Sequence, residues 1–246
     1  MRASDGPTTC TLMELLEEYN FPENSLTGMS HLSKVLDSFN IVMEPDIGSE
    51  DSKFPRVLKR ASPPSKITSM IKETLEQGGE KHGVELKSSV CIDTRKMQFN
   101  PKMTPHECVA EGLKAKAAQE IAAFLNRDGG IILFGITNDH QILGCEHDFS
   151  VMEDDGSEQD KADLLIRRIV ERYFLEPKRA LTHIQIECEK YEERYIIVLK
   201  IASIKSLVFL KASEHISCPL YMRIGNSADP IEFHELEEHY KVSRLY

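Results

Sequence analysis

The sequence of 246 residues has no apolar run approaching the ~20 residues that a membrane helix needs. Its opening stretch, MRASDGPTTCTLMELLEEYN, lacks the uninterrupted apolar core of a secretory signal. We therefore expect no membrane partner. The six cysteines, Cys10, Cys91, Cys108, Cys145, Cys188 and Cys218, form no C-x-x-C pair. Reduced thiols, several buried as small hydrophobes, are the expectation, in the cytoplasm or alternatively the nucleus. No G-x4-G-K-[ST] phosphate loop occurs, so ATP is not expected as a partner. Bulk positive charge is also lacking: 30 Lys and Arg stand against 40 Asp and Glu, a formal net charge of −10. That balance argues against a protein coated in nucleic acid, and leaves room for one local basic groove.

What is present is an ordinary globular composition, 41% hydrophobic and 28% charged. Its length suits one domain with an appendage, or two small ones. The charge is uneven. Residues 1–55 carry 3 basic and 10 acidic side chains, whereas Arg56, Lys59, Arg60, Lys66 and Lys72 occupy residues 54–72 without an acid. We read 1–42 as a short acidic helical segment, 43–66 as a linker rich in Pro, Ser, Gly and Asp and basic at its end, and 67–246 as the main domain.

In the first segment Thr11 is a plausible N-cap, followed by Leu12, Leu15, Leu16 and Tyr19 on one helical face; a second pattern runs from Ser30 to Phe39. Pro22 and Gly28 are expected to break the chain between them. Two such helices cannot make a core alone, so they should dock on the rest of the chain or on a partner. In the main domain helices are expected over 67–77, 111–125, 160–174 and 231–242, the last with Pro230 at its start. Strands are expected at 84–87, 131–136, 141–145, 183–187, 195–201, 207–210 and 220–224. Residues 137–140 read as the turn of a hairpin, and residues 91–108 as a loop insertion. Hairpin-paired strands with helices between them predict an α+β fold.

Three stretches carry a family resemblance. Glu80-Lys81-His82-Gly83-Val84-Glu85-Leu86-Lys87 is similar to the pattern E-x4-[VL]-E-[FL]-K. The block from Ile121 to Cys145, with Asn126-Arg127-Asp128-Gly129-Gly130 at its centre, resembles "AFANT-GG-L-hGV-D-x-G-x-h-G". Tyr221-Met222-Arg223-Ile224-Gly225-Asn226-Ser227 is similar to "YYIRxGSS". Together, in this order, they resemble the Schlafen/AlbA_2 family over roughly residues 68–245. The resemblance implies a Schlafen/AlbA_2-like mixed sheet with hairpins and packed helices. It also implies a role in RNA processing: some members are metal-dependent endoribonucleases, hydrolases acting on tRNA or rRNA, and others are subunits of assemblies that mature small-RNA or piRNA precursors.

The family's active site is a set of carboxylates. Two of them match Glu80 and Glu85, which the resemblance makes ligands of Mg2+ or Mn2+, a hard cation able to polarise a phosphodiester. Lys87 lies two residues from Glu85 on the same strand face, where it suits the scissile phosphate. Glu80 is five residues from Glu85, on the opposite face of a regular strand unless Gly83 bends the chain; without that bend it is a solvated acid. At the third position the sequence departs from the pattern. The usual acids fall on Thr137 and Asn138, and Asp139 follows. Either Asp139 serves through a shifted turn, or the site is incomplete and the subunit positions RNA or acts as a scaffold. His140 beside it either touches phosphate or is simply exposed.

Between positions 81 and 116 the seven cations Lys81, Lys87, Arg95, Lys96, Lys102, Lys114 and Lys116 accompany four acids. Lys81, Arg95, Lys96, Lys114 and Lys116 are the candidate RNA contacts. Arg167, Arg168, Arg172, Lys178 and Arg179 form either a second basic group or a solvated helix face. Zinc is not expected: His183, Cys188, His215 and Cys218 lack the close H-x-C and C-C spacing of the family's zinc site. Only one Schlafen-like lobe is present, so a two-lobed groove requires other Schlafen-like subunits, in a hetero- or homo-oligomer. The leading expectation is a Schlafen-fold subunit of a metal-dependent endoribonuclease; the alternative is a non-catalytic scaffold or RNA-positioning subunit. A DNA-binding regulator would need a helix-turn-helix domain, which the sequence does not offer.

Overall fold

The computed structural model describes residues 8–18, 20–22, 25–38, 41–45, 47, 53, 55–60, 65–76, 78, 83–232 and 234–236. The chain divides into two compact units, Met1–Pro64 and Ser65–Tyr246.

The first unit runs β1 (Thr8–Thr11), α1 (Leu12–Glu18), α2 (Leu26–Ser38), β2 (Ile41–Glu44) and β3 (Pro55–Arg60). Thr11 caps α1. The Glu14 N–H donates to Thr11 Oγ1 at 3.2 Å, and the Thr11 N–H donates to the Glu14 carboxylate at 2.8 Å. This reciprocal pair is a capping box, and it holds the Glu14 carboxyl below its ordinary range. Gly28 does not break the chain; it lies inside α2, where a Cβ would stand 2.8 Å from Phe21 and 2.9 Å from Leu16. Tyr19 and Phe39, expected on the apolar faces, lie outside the described residues.

The span 43–66, read as linker, holds the centre of a sheet. β3 pairs antiparallel with both β1 and β2, with Arg56 opposite Cys10 and Leu58 opposite Met43. Its pattern misled because Arg56 is fully buried while Val57 is exposed, the reverse of the usual alternation. The sheet also answers the question of the helices' core. Leu12, Leu15, Leu16, Leu32, Leu36 and Met43 form a cluster of their own, against which Cys10, Ile41 and Leu58 pack.

The second unit contains α3 (Lys66–Glu76), β4 (Val84–Lys87), α4 (Thr94–Phe99), α5 (Glu111–Leu125), β5 (Gly130–Phe134), α6 (Glu146–Ser150), α7 (Glu158–Tyr173), α8 (Pro177–Leu181), β6 (Ile184–Tyr191), β7 (Arg194–Ile201), β8 (Tyr221–Ile224) and β9 (Ser227–Pro230). Its mixed sheet has the order β4-β5-β7-β6. β4 and β5 are parallel, and the other pairings are antiparallel. A parallel pair needs a long crossover, which the chain through α4 and α5 supplies. On one sheet face Leu86, Leu133, Ile136, Ile196 and Val198 pack with Ile71 of α3. On the other, Ile132, Phe134, Ile197 and Leu199 join the large core shared with α5 and α7. The fold is α+β, a mixed sheet with a hairpin and packed helices.

Four local expectations change. The segment 91–108 is built rather than loose. Asp93 caps α4 by accepting from the Lys96 N–H at 3.0 Å, and Pro105–Cys108 forms a 3-10 turn. The hairpin expected over 131–145 reduces to the turn Thr137–Gln141 closed by an isolated Ile136–Ile142 bridge. The reason is that β5 spends its two edges on β4 and β7. Residues 207–210 contribute only the Phe174–Leu210 bridge. Finally, Pro230 ends β9, which pairs with β8 as a hairpin; of the helix expected over 231–242, residues 237–242 lie outside the described residues.

Candidate functional site

Glu85 and Lys87 stand opposite Ile132 and Phe134 in the β4–β5 register, so they project to the sheet face covered by α5. On α5, Lys116, Glu120 and Phe124 recur at intervals of four and share one side. The β8–β9 hairpin brings Arg223 to the same place. Glu85 is 5%, Glu120 3% and Arg223 7% exposed. Carboxylates this deep must be paired.

They are. Arg223 Nη1 donates to Glu85 Oε2 at 2.7 Å and to Glu120 Oε2 at 3.2 Å. Lys87 Nζ donates to Glu85 Oε1 and lies 3.5 Å from Glu120 Oε1. Lys116 Nζ lies 3.4 Å from the same oxygen. The Arg223 guanidinium also stands 4.4 Å from the centre of the Phe124 ring, a cation–π contact. Three cations thus surround two carboxylates, and Lys87 and Lys116 are the members that reach solvent.

The structure brings Glu85, Lys87 and Lys116 together and gives Asp139, Lys114, Arg95 and Lys96 other surroundings. Asp139 is exposed in the turn after β5. A hydrogen bond from the Thr137 side chain, and then one from its own backbone, hold its carboxyl below the ordinary range. Lys114 donates to Glu111 Oε1 at 2.8 Å within α5, and Arg172 of α7 lies 3.0 Å from Glu111 Oε2, so Glu111 holds Lys114 on its own helix and ties α5 to α7 through Arg172. Arg95 and Lys96 are exposed on α4. Glu80 and Lys81 lie outside the described residues.

Among the described residues the fit for a divalent cation is poor. Both oxygens of Glu85 already accept from cations, and a metal ion would have to displace one of them. Among the described residues no three His, Cys, Asp or Glu side chains converge. Sequence reasoning missed Glu120 and Arg223. A faint signal existed for each: Glu120 is the lone acid in the otherwise apolar stretch Ala117–Leu125 apart from Gln119, and Arg223 is the one charged residue of Tyr221–Ile224.

A second buried acid supports the frame. Asp148 accepts from Ser89 Oγ and from the Cys91 N–H, each at 2.8 Å, and so fixes the chain leaving β4.

The Schlafen AlbA_2 family model matches residues 80–232, from the Glu80 motif through the β8–β9 hairpin. The chain belongs to the Schlafen AlbA_2 family. In this Schlafen domain the matched span contains every member of the buried ionic cluster. Among solved structures it is similar to the DIP2311 protein from Corynebacterium diphtheriae, at 16% identity and a TM-score of 0.44, over 71% of this chain and 33% of that one. It is also similar to the N-terminal domain of a putative ATP-dependent DNA helicase RecG-related protein from Nitrosomonas europaea. That match has 16% identity and a TM-score of 0.36, over 68% of this chain and 95% of that one. The Schlafen domain protein therefore spans about a third of the DIP2311 chain. No curated protein matches it in sequence.

Proposed function

We propose that this protein is an RNA-binding Schlafen-domain subunit of an RNA-processing assembly, and that Glu85 serves it as a buried counter-ion that orients Lys87. The observation that carries this reading is the 2.7 Å contact between Arg223 and Glu85, with Lys87 on the other carboxylate oxygen. A carboxylate held between two cations is a poor metal ligand and a good anchor for a lysine. The cluster keeps one positive charge in excess, presented through Lys87 and Lys116, and phosphate is its natural complement. With a net charge of −10 the chain offers little further bulk attraction, so other Schlafen-like subunits would supply the rest of an RNA groove, in the cytoplasm or nucleus.

The test is to measure binding and cleavage of structured RNA by the full chain, in Mg2+ and in Mn2+. Binding without cleavage is expected, and Lys116→Glu should weaken it. Loss of all RNA binding in wild type would overturn the reading. A second reading, a catalytic subunit of a metal-dependent endoribonuclease, is favoured by the Glu80-x4-Glu85-x-Lys87 motif inside the matched span, with Asp139 as a third acid. Cleavage that vanishes in both Glu80→Ala and Glu85→Ala would establish it in place of the first.

A further inference from the structure

Helix α4 has two unlike sides. Thr94, Met97, Gln98 and Pro101, spaced at three and four residues, line a cavity of about 430 Å3. The opposite side carries Arg95 and, one turn on, Phe99, with Lys102 in the turn beyond. Phe99 is 89% exposed, the most exposed large hydrophobic residue among those described. A single exposed apolar side chain is ordinary at a protein surface; what sets Phe99 apart is that Arg95, Lys96 and Lys102 flank it in sequence.

The helix itself is not loose. Asp93 caps the helix, and the Asn100 N–H donates back to Lys96 O at 3.1 Å. Lys96 Nζ donates to Glu107 O at 3.2 Å, and Met97 packs against the main core. The ring is presented from a fixed support. Residues 94–102 contain three cations and no acid, in a chain whose overall charge is negative. The nearest acids in sequence are engaged: Asp93 as the cap, and Glu107 accepting from the Thr104 N–H at 2.7 Å with the charge of Lys96 also acting on it.

We propose that the outer face of α4 binds single-stranded RNA, with one unpaired base stacked on Phe99 and the adjoining phosphates on Arg95, Lys96 and Lys102. The inference rests on the RNA-binding reading above and adds the form of the nucleic acid and the residue that holds it. A planar π-face flanked by cations suits a base and its backbone. A protein partner would gain from three cations without an acid only through a matching acidic surface, whereas a nucleic-acid strand carries an anion at every nucleotide.

The test compares the full chain and its variants for binding a labelled oligouridylate and the duplex of matching length. Phe99→Ala should weaken single-strand binding by roughly 5- to 150-fold, the range for losing one stacked base, and leave duplex binding unchanged. Phe99→Trp should retain it. The double variant Arg95→Gln/Lys102→Gln should weaken binding and lower its salt dependence. Leu175→Ala, which alters another exposed apolar side chain, should change nothing. Unaltered oligouridylate binding by Phe99→Ala, or structured-RNA binding by wild type without any oligouridylate binding, would overturn this inference alone. Altered self-association in Phe99→Ala with RNA binding intact would assign the face to protein and overturn it as well. Failure of wild type to bind any RNA would remove both readings.

Discussion

Arg223 Nη1 lies 2.7 Å from Glu85 Oε2, across 138 positions of sequence. The pair joins the last hairpin of the Schlafen domain to the first strand of its sheet. Because Arg223 also reaches Glu120 at 3.2 Å, one guanidinium neutralises acids from two elements. Its Nη2 has no hydrogen-bond acceptor among the described residues, and the face of Phe124 takes the place of one.

Removing that guanidinium leaves two carboxylates buried with only lysines beside them. Breaking a buried pair by deleting one partner costs about 3–5 kcal/mol. Arg223→Met should lower the denaturation midpoint accordingly, and adding Glu85→Gln and Glu120→Gln should recover part of the loss. If Arg223→Met melted like wild type, the cluster would not be holding the domain together.

Much of this domain was legible in its sequence, for reasons that differ by element. Helix α5 spans Glu111–Leu125 as expected, since an apolar stripe followed by Asp128-Gly129-Gly130 states both face and end. β4 spans Val84–Lys87 as expected. Helix α4 was not foreseen because its apolar content is one methionine facing a cavity and one phenylalanine facing solvent. β3 was hidden by a buried arginine. The motif located Glu85 and Lys87, but their partners could not be read off. Pairing across 138 residues depends on how a hairpin lands on a helix, and no local pattern encodes that.

The turn from α5 into β5 rests on Gly129. Its φ is +74°, and an added Cβ would lie 2.5 Å from the Ile201 carbonyl oxygen, a backbone atom of β7. Gly78 also has a positive φ, +94°, but stands in open space. A left-handed backbone costs an L-residue about 1–2 kcal/mol. Gly129→Ala should therefore destabilise by clearly more than that, and Gly78→Ala by about that amount. Chemical denaturation of the two variants checks the order, and equal losses would show that the contact with β7 yields.

Asp148 gives the domain a pH signature. Burial pushes its carboxyl above the ordinary value of 3.8, and the hydrogen bonds from Cys91 and Ser89 only partly oppose this. An acid whose pKa is raised on folding holds its proton more tightly in the native state. Its contribution to stability is full below 3.8 and falls as pH rises through the raised folded value. Asp148→Asn removes this titration while keeping one acceptor oxygen for Ser89 or Cys91. The stability of wild type relative to this variant should decline as pH rises above 3.8. Denaturant midpoints collected across that window test the claim, and a difference independent of pH would refute it.

The thiols of the domain should be chemically quiet. Cys91, Cys108 and Cys145 are buried, and burial raises the thiols of Cys91 and Cys145 well above their ordinary range. Cys188 is pushed up to about 12, chiefly by burial and then by Glu158. At neutral pH that leaves on the order of one thiolate in 10^5 molecules, and the thiolate is the reactive form. Iodoacetamide applied to the native protein should label Cys91, Cys145 and Cys188 far more slowly than the same residues in denaturant, as read by mass spectrometry of peptides. Rapid native labelling of Cys188 alone would mean that the β6 edge opens; rapid labelling of Cys91 would mean that the Asp148 anchor does.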